Sequence, residues 1–188
     1  YFYGQKSYNG VALISKEPLS DVQKGFSAVI DEETVGDLDA QKRVISGVLG
    51  NVRVVNLYVP NGSAIGSEKY DYKLNWLALL KQYLTLQLEA YPKLNVCGDF
   101  NIALENKDIY TDKRRDKHIM SSPAERETLR DVLSIGLSDA FRKLPTKGDT
   151  LAGGTTAQAH SPAIPDGAST ITICHQRYTS RRSAAQLI

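Results

Sequence analysis

A long amphipathic segment followed at once by an apolar strand constrains the fold of this chain more than any other feature. Between Lys69 and Ala90, large apolar residues recur at three- and four-residue steps, which predicts one continuous helix. The residues in this pattern are Tyr70, Leu74, Leu77, Leu80, Leu84 and Leu88. Pro92 ends the pattern, and Leu94–Gly98 indicates a buried strand. We therefore predict that the helix packs on the face of a sheet that contains this strand.

Several other segments have strand patterns. Residues 43–49 and 52–59 are rich in β-branched residues and are separated by Gly50-Asn51, which predicts a hairpin. Val11–Ser15 is a short apolar run that predicts an inner strand, and a weak strand is expected around Phe26–Ile30.

A second helix is predicted after residue 121. Ser122 is suited to the N-cap, Pro123 to the first turn, and Glu125 to the third position of a capping box. Gly136 is the expected terminator. Strands that alternate with helices in this way predict an α/β domain.

Composition restricts the class of protein. The 188 residues suffice for one domain, and 41% hydrophobic with 23% charged residues is typical of a soluble globular protein. Two cysteines do not form a disulfide framework, and no apolar run approaches the roughly 18 residues of a membrane span, so we expect a cytoplasmic protein. The chain opens on Tyr1 without an initiator Met, and we expect it to begin within a longer gene.

Oxygen-bearing side chains follow the strand at 94–98. Asp99 and Asn101 are two residues apart, so on an extended backbone they project to the same side and share a pocket at the strand's end. Such groups bind hard cations and phosphates. A Gly-Asp pair after a strand is by itself more often an ordinary turn, and Tyr58 alone is most simply one more strand aromatic. Spacing alone therefore indicates only a candidate hard-metal site.

The polar connection at residues 104–120 is long enough to suspect a function. It contains the basic residues Lys113, Arg114, Arg115 and Lys117. A basic cluster of this kind is most often a solvated loop. The histidines His118, His160 and His175 lack metal-ligand spacing, and we interpret all three as surface residues.

Five motifs, in order over residues 1 to about 150, resemble the bacterial exodeoxyribonuclease III family of AP endonucleases, a branch of the endonuclease/exonuclease/phosphatase superfamily. They are Tyr8–Ala12 (YNGVA), Val55–Gly62 (VNLYVPNG), Lys69-Tyr70 with Lys73-Leu74 and Trp76-Leu77, Gly98–Ala103 (GDFNIA), and Gly136-Leu137 with Asp139–Arg142 (DAFR). The combination of YVPNG with GDFN is the specific part of the resemblance.

The resemblance implies a four-layer αββα sandwich of the DNase I-like type, here incomplete at both ends. It also implies hydrolysis of phosphodiester bonds with Mg²⁺ or Mn²⁺ as cofactor. The expected partner is double-stranded DNA, cut 5′ to abasic sites and trimmed at 3′ ends during base excision repair. We expect a monomer in the bacterial cytoplasm without a membrane partner.

The resemblance also implies roles for individual residues. Asp99 would orient or deprotonate the attacking water, Asn101 would hold the scissile phosphate or a metal-bound water, and Tyr58 would contact phosphate oxygens through its phenol. Asp99 and Asn101 are the candidate metal ligands. Candidate DNA-binding residues are Asn9, Asn61, Lys113, Arg114, Arg115 and Lys117. These roles agree with the chemistry, because an anionic phosphodiester is attacked only when its charge is offset and a water is activated.

Family segments are also missing. The metal-binding Glu lies upstream of Tyr1 in the family, and the Trp-Trp-Asp-Tyr-Arg, Arg-Ile-Asp-His and Ser-Asp-His segments do not occur as written. We therefore expect this 188-residue chain to have little or no nuclease activity by itself.

The tail at residues 151–188 has an alternative reading in the genetic code. When each codon's third base is read as the first base of a new codon, residues 150–161 permit Phe-Gly-Trp-Trp-Asp-Tyr-Arg-Ala-Gly-Ala-Phe. In the same register, residues 166–171 permit Arg-Arg-Ile-Asp-His or Trp-Arg-Ile-Asp-His. We predict that one nucleotide was lost near Thr150, that the tail is frameshifted and disordered, and that ordered structure ends near residue 150. A natural divergent tail is the alternative, and the coding DNA decides between them.

Two other functions are to be weighed. The chain could derive from a superfamily branch that cleaves inositol phosphates or sphingomyelin, although YVPNG and GLSDAFR argue against that. It could also be a non-catalytic remnant that at most binds DNA weakly.

Overall fold

The computed structural model describes residues 1–108, 117–143 and 170–174, which form eight strands and four α-helices. The strands are β1 (Phe2–Gln5), β2 (Tyr8–Ala12), β3 (Ser20–Lys24), β4 (Val44–Leu49), β5 (Val52–Tyr58), β6 (Leu94–Asp99), β7 (Ser138–Asp139) and β8 (Thr170–Cys174). The helices are α1 (Glu32–Val35), α2 (Glu68–Ala90), α3 (Pro123–Leu133) and α4 (Ala140–Lys143). No helix in these ranges is long and apolar enough to cross a bilayer.

Six of the strands form one mixed sheet in the order β3-β4-β5-β6-β8-β7. The first three are antiparallel, whereas β5, β6, β8 and β7 are parallel. Parallel neighbours need a crossover connection, and α2 is the crossover between β5 and β6. The remaining strands, β1 and β2, pair with each other as an antiparallel hairpin.

The core lies between the six-stranded sheet and α2. Val55 and Leu57 alternate along β5 and are buried on the same side as Trp76 of α2. Phe26 closes this core, with its ring centroid 5.0 Å from that of Trp76 and 5.4 Å from that of Tyr83.

The β1–β2 hairpin lies over the opposite face of the sheet. Asn56, which alternates with the core residues of β5, donates from Nδ2 to the Ala12 carbonyl at 2.8 Å. Helices, a six-stranded sheet and a two-stranded sheet therefore follow one another as three layers in the described part of the chain. The predicted α/β sandwich class is confirmed.

The elements with the strongest sequence patterns are present in the structure as predicted. The hairpin β4–β5 turns at Gly50 with φ +62°, the long helix spans Glu68–Ala90, and α3 has the complete capping box between Ser122 and Glu125. Each of these signals depends on residues that are close together in the sequence. Packing against the rest of the chain therefore did not change the outcome.

Two weaker strand predictions were wrong. The strand expected at Val11–Ser15 is β2 (Tyr8–Ala12), which pairs with β1 at the surface, and Ile14 is 99% exposed. Residues Phe26–Ala28 form a 3₁₀ turn, because the Asp39 carboxylate accepts hydrogen bonds from the Phe26 and Ser27 amides at 2.8 and 2.9 Å. The strand in this region is β3, which begins at Ser20, six residues before the start of the predicted strand at Phe26.

We expected ordered structure to end near residue 150, but five later residues form a strand. Thr170–Cys174 forms β8, between β6 and β7 in the main sheet. Its sequence alternates Thr with Ile, a pattern of β-branched residues that fits a pleated surface. The other residues of the predicted frameshifted tail lie outside the described part of the chain.

An ion pair fixes the end of the sheet that is remote from the strand-end motifs. Arg53 is fully buried at the start of β5 and donates to the Asp21 carboxylate at 2.6 Å, and the Tyr91 hydroxyl donates to the same oxygen at 2.6 Å. The Tyr91 ring also stacks under the guanidinium, with its centroid 4.2 Å from Arg53 Cζ. The Tyr91 hydrogen bond, together with the charge of Arg53, holds the pKa of Asp21 below its ordinary value of 3.8.

We expect Tyr91→Phe to lower the free energy of unfolding at neutral pH but not in strong acid. The variant keeps the stacked ring and loses the hydrogen bond, so the pKa of Asp21 in the folded state rises towards its unfolded value. A carboxyl group with a depressed folded-state pKa stabilises the protein above its unfolded pKa, and this contribution is lost as the pH falls through the folded value. Urea unfolding of both proteins between pH 2 and pH 7 measures the difference, and a difference that does not depend on pH would contradict this account.

Candidate active site

Tyr58 and Asp99 lie opposite one another at the ends of two neighbouring parallel strands. They are register partners of β5 and β6, and the Val59 amide donates to the Asp99 carbonyl at 2.9 Å just beyond them. Registered residues of adjacent strands project to the same face, which here is the face covered by the β1–β2 hairpin. Both residues are half-buried. The structure therefore brings the predicted phenol and the predicted carboxylate to one place.

The approach of β6 to β5 at this point depends on a glycine. Gly98 has φ +137°, and a Cβ built there would lie 1.9 Å from the carbonyl oxygen of Leu57. No other residue type could place Asp99 next to Tyr58 with this backbone path.

Asn101 is held beside Asp99 by three hydrogen bonds. Its amide donates to Asp99 Oδ1 at 2.9 Å, its Nδ2 donates to the Val59 carbonyl at 2.8 Å, and its carbonyl accepts from Lys73 Nζ at 2.8 Å. Asn101 has φ +48° and is only 5% exposed. These bonds engage every polar group of the residue except Oδ1, so Oδ1 is the atom that can serve a ligand.

Arg43, whose sequence pattern predicts only a place in a strand, lies beside Tyr58 on the neighbouring strand segment, and the Tyr58 amide donates to its carbonyl at 2.9 Å. Its guanidinium stacks on the Tyr58 ring, with Cζ 4.5 Å from the centroid, and donates to the Tyr58 carbonyl and to Asn9 Oδ1 at 3.0 Å each. Burial lowers the pKa of Arg43, and nearby Tyr58 and Asp99 act in the opposite direction. The site therefore contains a cation that stays charged at neutral pH.

Lys73 and Glu125 were likewise not predicted as site residues. Both are fully buried and form an ion pair below Asn101. The sequence does contain one signal for Lys73, because the residue falls on the apolar stripe of the long helix, where a charged side chain requires a buried partner.

The predicted DNA-binding residues are only partly gathered at the site. Asn9 is half-buried, with its amide oxygen bonded to Arg43, whereas Asn61 is exposed just past β5, and its Oδ1 accepts from the Ser63 amide at 3.3 Å. Lys117 is exposed. The other three residues of the basic cluster, Lys113, Arg114 and Arg115, lie outside the described residues.

The donor set fits a divalent cation in part. Mg²⁺ binds proteins through one or two carboxylates and keeps several water or phosphate ligands, and Asp99 with Asn101 Oδ1 supplies one carboxylate and one amide oxygen. Across residues 1–108 and 117–143, no three His, Cys, Asp or Glu side chains converge as a metal cluster. His118 is exposed, as expected of a surface residue, while His160 and His175 lie outside the described residues.

The chain is similar to several nucleases. It is 34% identical over 161 residues to exodeoxyribonuclease III of Haemophilus influenzae. The aligned region covers 79% of this chain and 58% of that protein. It also resembles the solved 3′ phosphatase NExo from Neisseria bound to a product DNA hairpin (35% identity, TM-score 0.69, 77% and 55% of the two chains). A third match is an AP endonuclease from Archaeoglobus fulgidus (33% identity, TM-score 0.67, 77% and 53%).

These proteins are considerably longer than this chain, which spans about half of their length. A family model described as the endonuclease/exonuclease/phosphatase family matches residues 1–168. That match runs past residue 150, and the predicted domain boundary there stays a prediction. Since the family model matches most of the sequence, the chain belongs to the endonuclease/exonuclease/phosphatase family of divalent-metal-dependent hydrolases.

Proposed function

We propose that the gene product is a DNA-repair nuclease of the exodeoxyribonuclease III type, which incises duplex DNA 5′ to abasic sites and trims 3′ ends with Mg²⁺, or Mn²⁺ in its place. The observation that carries the proposal is the meeting of Tyr58, Asp99 and Asn101 at the ends of β5 and β6. The names of the matched proteins, which include an exodeoxyribonuclease and an AP endonuclease, support the same reaction.

In the proposed mechanism Asp99 is the proton acceptor for the attacking water. Its carboxylate is held by the Asn101 amide, which fixes its direction before substrate arrives. A positioned general base contributes about a hundredfold to ten-thousandfold to a hydrolysis rate. A divalent cation, when bound by Asp99 and Asn101 Oδ1, would offset the charge of the phosphodiester and favour deprotonation of water.

Tyr58 and Arg43 act on the phosphate in this mechanism. The Tyr58 phenol donates to a non-bridging phosphate oxygen, and the adjacent guanidinium adds positive charge where the transition state gathers negative charge. Because Arg43 binds both the Tyr58 carbonyl and Asn9, it also connects the phosphate site to the β1–β2 hairpin.

The proposal is tested with the full-length gene product, translated with the reading frame after Thr150 restored, and a labelled duplex that carries one abasic site. We expect incision 5′ to the site in Mg²⁺, no incision in EDTA, and recovery when Mg²⁺ is restored. A recessed 3′ end on undamaged duplex tests the exonuclease in parallel. The 188-residue chain is assayed beside the full-length protein, to test our prediction that it cuts poorly by itself.

Inositol phosphates and sphingomyelin serve as comparison substrates in the same assay. Release of product from these compounds without any cleavage of duplex DNA would contradict the proposal and favour another branch of the superfamily.

A further inference from the structure

A buried ion pair lies beneath the loops that carry the proposed site. Lys73, in the second turn of α2, and Glu125, in the first turn of α3, have side chains that are 0% exposed, and Lys73 Nζ donates to Glu125 Oε1 at 2.5 Å. A buried ion pair is weak evidence for a stabilising role, because well-packed neutral residues of similar volume often stabilise a fold at least as much as the pair does. The other contacts of the two residues are therefore more informative.

The remaining protons of the Lys73 ammonium are donated to two backbone carbonyls. Nζ donates to the Asn101 carbonyl at 2.8 Å and to the Asn61 carbonyl at 3.2 Å. These carbonyls belong to the segments that follow the neighbouring strands β6 and β5. With Glu125 as the third acceptor, all three donors of the ammonium are used. One charged nitrogen therefore joins both strand-end loops to α3.

Glu125 cannot shift without breaking other bonds. Its Oε1 also accepts from the Met120 amide at 3.0 Å, and its Oε2 accepts from the Ser122 amide and hydroxyl at 3.0 and 2.7 Å. The Ser122 hydroxyl in turn shares a hydrogen bond of 2.6 Å with the Tyr70 hydroxyl of α2. Lys73 is thus fixed at its charged end by the N-terminus of α3.

The stem of Lys73 is confined as well. A Cβ at Gly62, which has φ +90°, would lie 3.1 Å from Lys73 Cδ, so the loop after β5 packs directly on the side chain. The loop after β6 is buried from Phe100 to Leu104, and the Ala103 amide donates to the Met120 carbonyl at 2.6 Å. The loop after β5 and the loop after β6 therefore both contact Lys73.

We propose that Lys73, held by Glu125, is a positioning residue that sets Asn101 Oδ1 relative to Asp99 and Tyr58, an inference that rests on the proposed function. Asn101 occupies φ +48°, a conformation uncommon for a residue other than glycine. Its carbonyl is oriented by Lys73, its amide by Asp99 and its Nδ2 by Val59. Removal of the Lys73 contact releases one of these three constraints while leaving the reacting groups in the protein.

The test separates positioning from stability with the double variant Lys73→Met/Glu125→Gln in the full-length gene product. The double variant removes both charges at similar volume, but the Gln amide nitrogen cannot accept the hydrogen bonds that one Glu125 oxygen receives, so we expect a folded protein with a lower denaturation midpoint. It does not restore the donor to the Asn101 carbonyl, so we expect kcat on abasic duplex to fall by about tenfold to a hundredfold, since a small misplacement of a catalytic group has an effect of that order. KM should change less than about threefold, because most DNA contacts are unaffected.

Arg53→Met is the matched control. It breaks the contact between another fully buried cation and a partly exposed carboxylate, Asp21, at the end of the same sheet remote from Asp99, and it should lower stability without lowering kcat. A folded double variant with wild-type kcat would overturn the proposal, and so would an Arg53→Met variant that loses kcat as strongly.

Amide hydrogen exchange provides a readout that does not depend on cleavage. In the folded double variant the amides of Asn101 and Ala103 should exchange at least about tenfold faster, whereas those of β4 should be unchanged. If the wild type cuts no DNA, the proposed function fails, and unchanged exchange at these amides would then separately overturn the positioning role.

If the double variant does not fold, Lys73→Arg replaces it. Arginine keeps a cation opposite Glu125 but cannot direct three bonds from one nitrogen. We expect kcat to fall and amide exchange at Asn101 to rise together. A fall in kcat with wild-type exchange, faster exchange with wild-type kcat, or a folded variant that matches the wild type in both would overturn the proposal.

Discussion

Asp99→Asn in the full-length protein is expected to lower kcat for incision at an abasic site by about a thousandfold or more, because it removes both the general base and a carboxylate ligand for the divalent cation. The substitution is nearly isosteric, and the Asn Oδ1 can still accept the hydrogen bond that Asp99 Oδ1 receives from the Asn101 amide at 2.9 Å. The backbone bond from Val59 to residue 99 is unaffected. The loss should therefore be chemical rather than structural.

Single-turnover cleavage with saturating enzyme measures the chemical step, and fluorescence anisotropy in EDTA measures DNA binding without cleavage. We expect the Kd for duplex DNA to change less than about threefold, because phosphate contacts elsewhere dominate affinity. Asp131→Asn is the control: this carboxylate pairs with Lys81 at 2.7 Å on the exposed side of α3 and should be dispensable. An Asp99→Asn enzyme that keeps a tenth of its kcat would refute the assignment of the base.

Gly98→Ala is expected to lower the free energy of unfolding by about 3 to 5 kcal/mol, because overpacking a core costs about 1 to 3 kcal/mol and the φ of +137° adds about 1 to 3 kcal/mol of backbone strain. The added methyl group would stand 1.9 Å from the Leu57 carbonyl oxygen, in a central pair of parallel strands. Relief requires that β5 and β6 separate, which breaks ladder hydrogen bonds and moves Asp99 away from Tyr58. Urea unfolding at neutral pH measures the loss.

Gly50→Ala separates this clash from backbone strain. Gly50 also has a positive φ, +62°, but a Cβ there has no heavy atom within 4 Å. Gly50→Ala should lower the free energy of unfolding only by the cost of a left-handed backbone conformation, which is about 1 to 2 kcal/mol for a residue with a Cβ. Equal losses for the two variants would show that φ, rather than the approach of the two strands, makes glycine necessary at 98.

The extent to which the sequence predicted this fold depends on how local each signal is. The capping box of α3 and the turn at Gly50 are determined by residues within four positions of one another, and both formed as predicted. The 3₁₀ turn at Phe26 depends on a carboxylate thirteen residues away, Asp39, which no local pattern of apolar residues can indicate.

The same distinction applies to the candidate site. Asp99 and Asn101 follow one strand, and YVPNG suggested Tyr58 through a family resemblance, so the sequence named all three residues that meet there. Arg43 was missed because its position beside Tyr58 is a consequence of strand pairing, and an arginine just before a strand has no distinctive spacing. Lys73 could have been identified from its place on a buried helical stripe, but its acceptors come from three separate segments.

The connection between β5 and β6 consists of a single helical crossover, and this has a consequence for how the reacting groups are brought together. Tyr58 and Asp99 become neighbours once this one βαβ unit closes, whatever the state of the β1–β2 hairpin or β8. Closure of that unit involves a modest loop entropy compared with pairing of segments far apart in the chain. During synthesis on the ribosome, the phenol and the carboxylate would accordingly be juxtaposed soon after residue 99 leaves the exit tunnel, before α3 is available to fix Lys73.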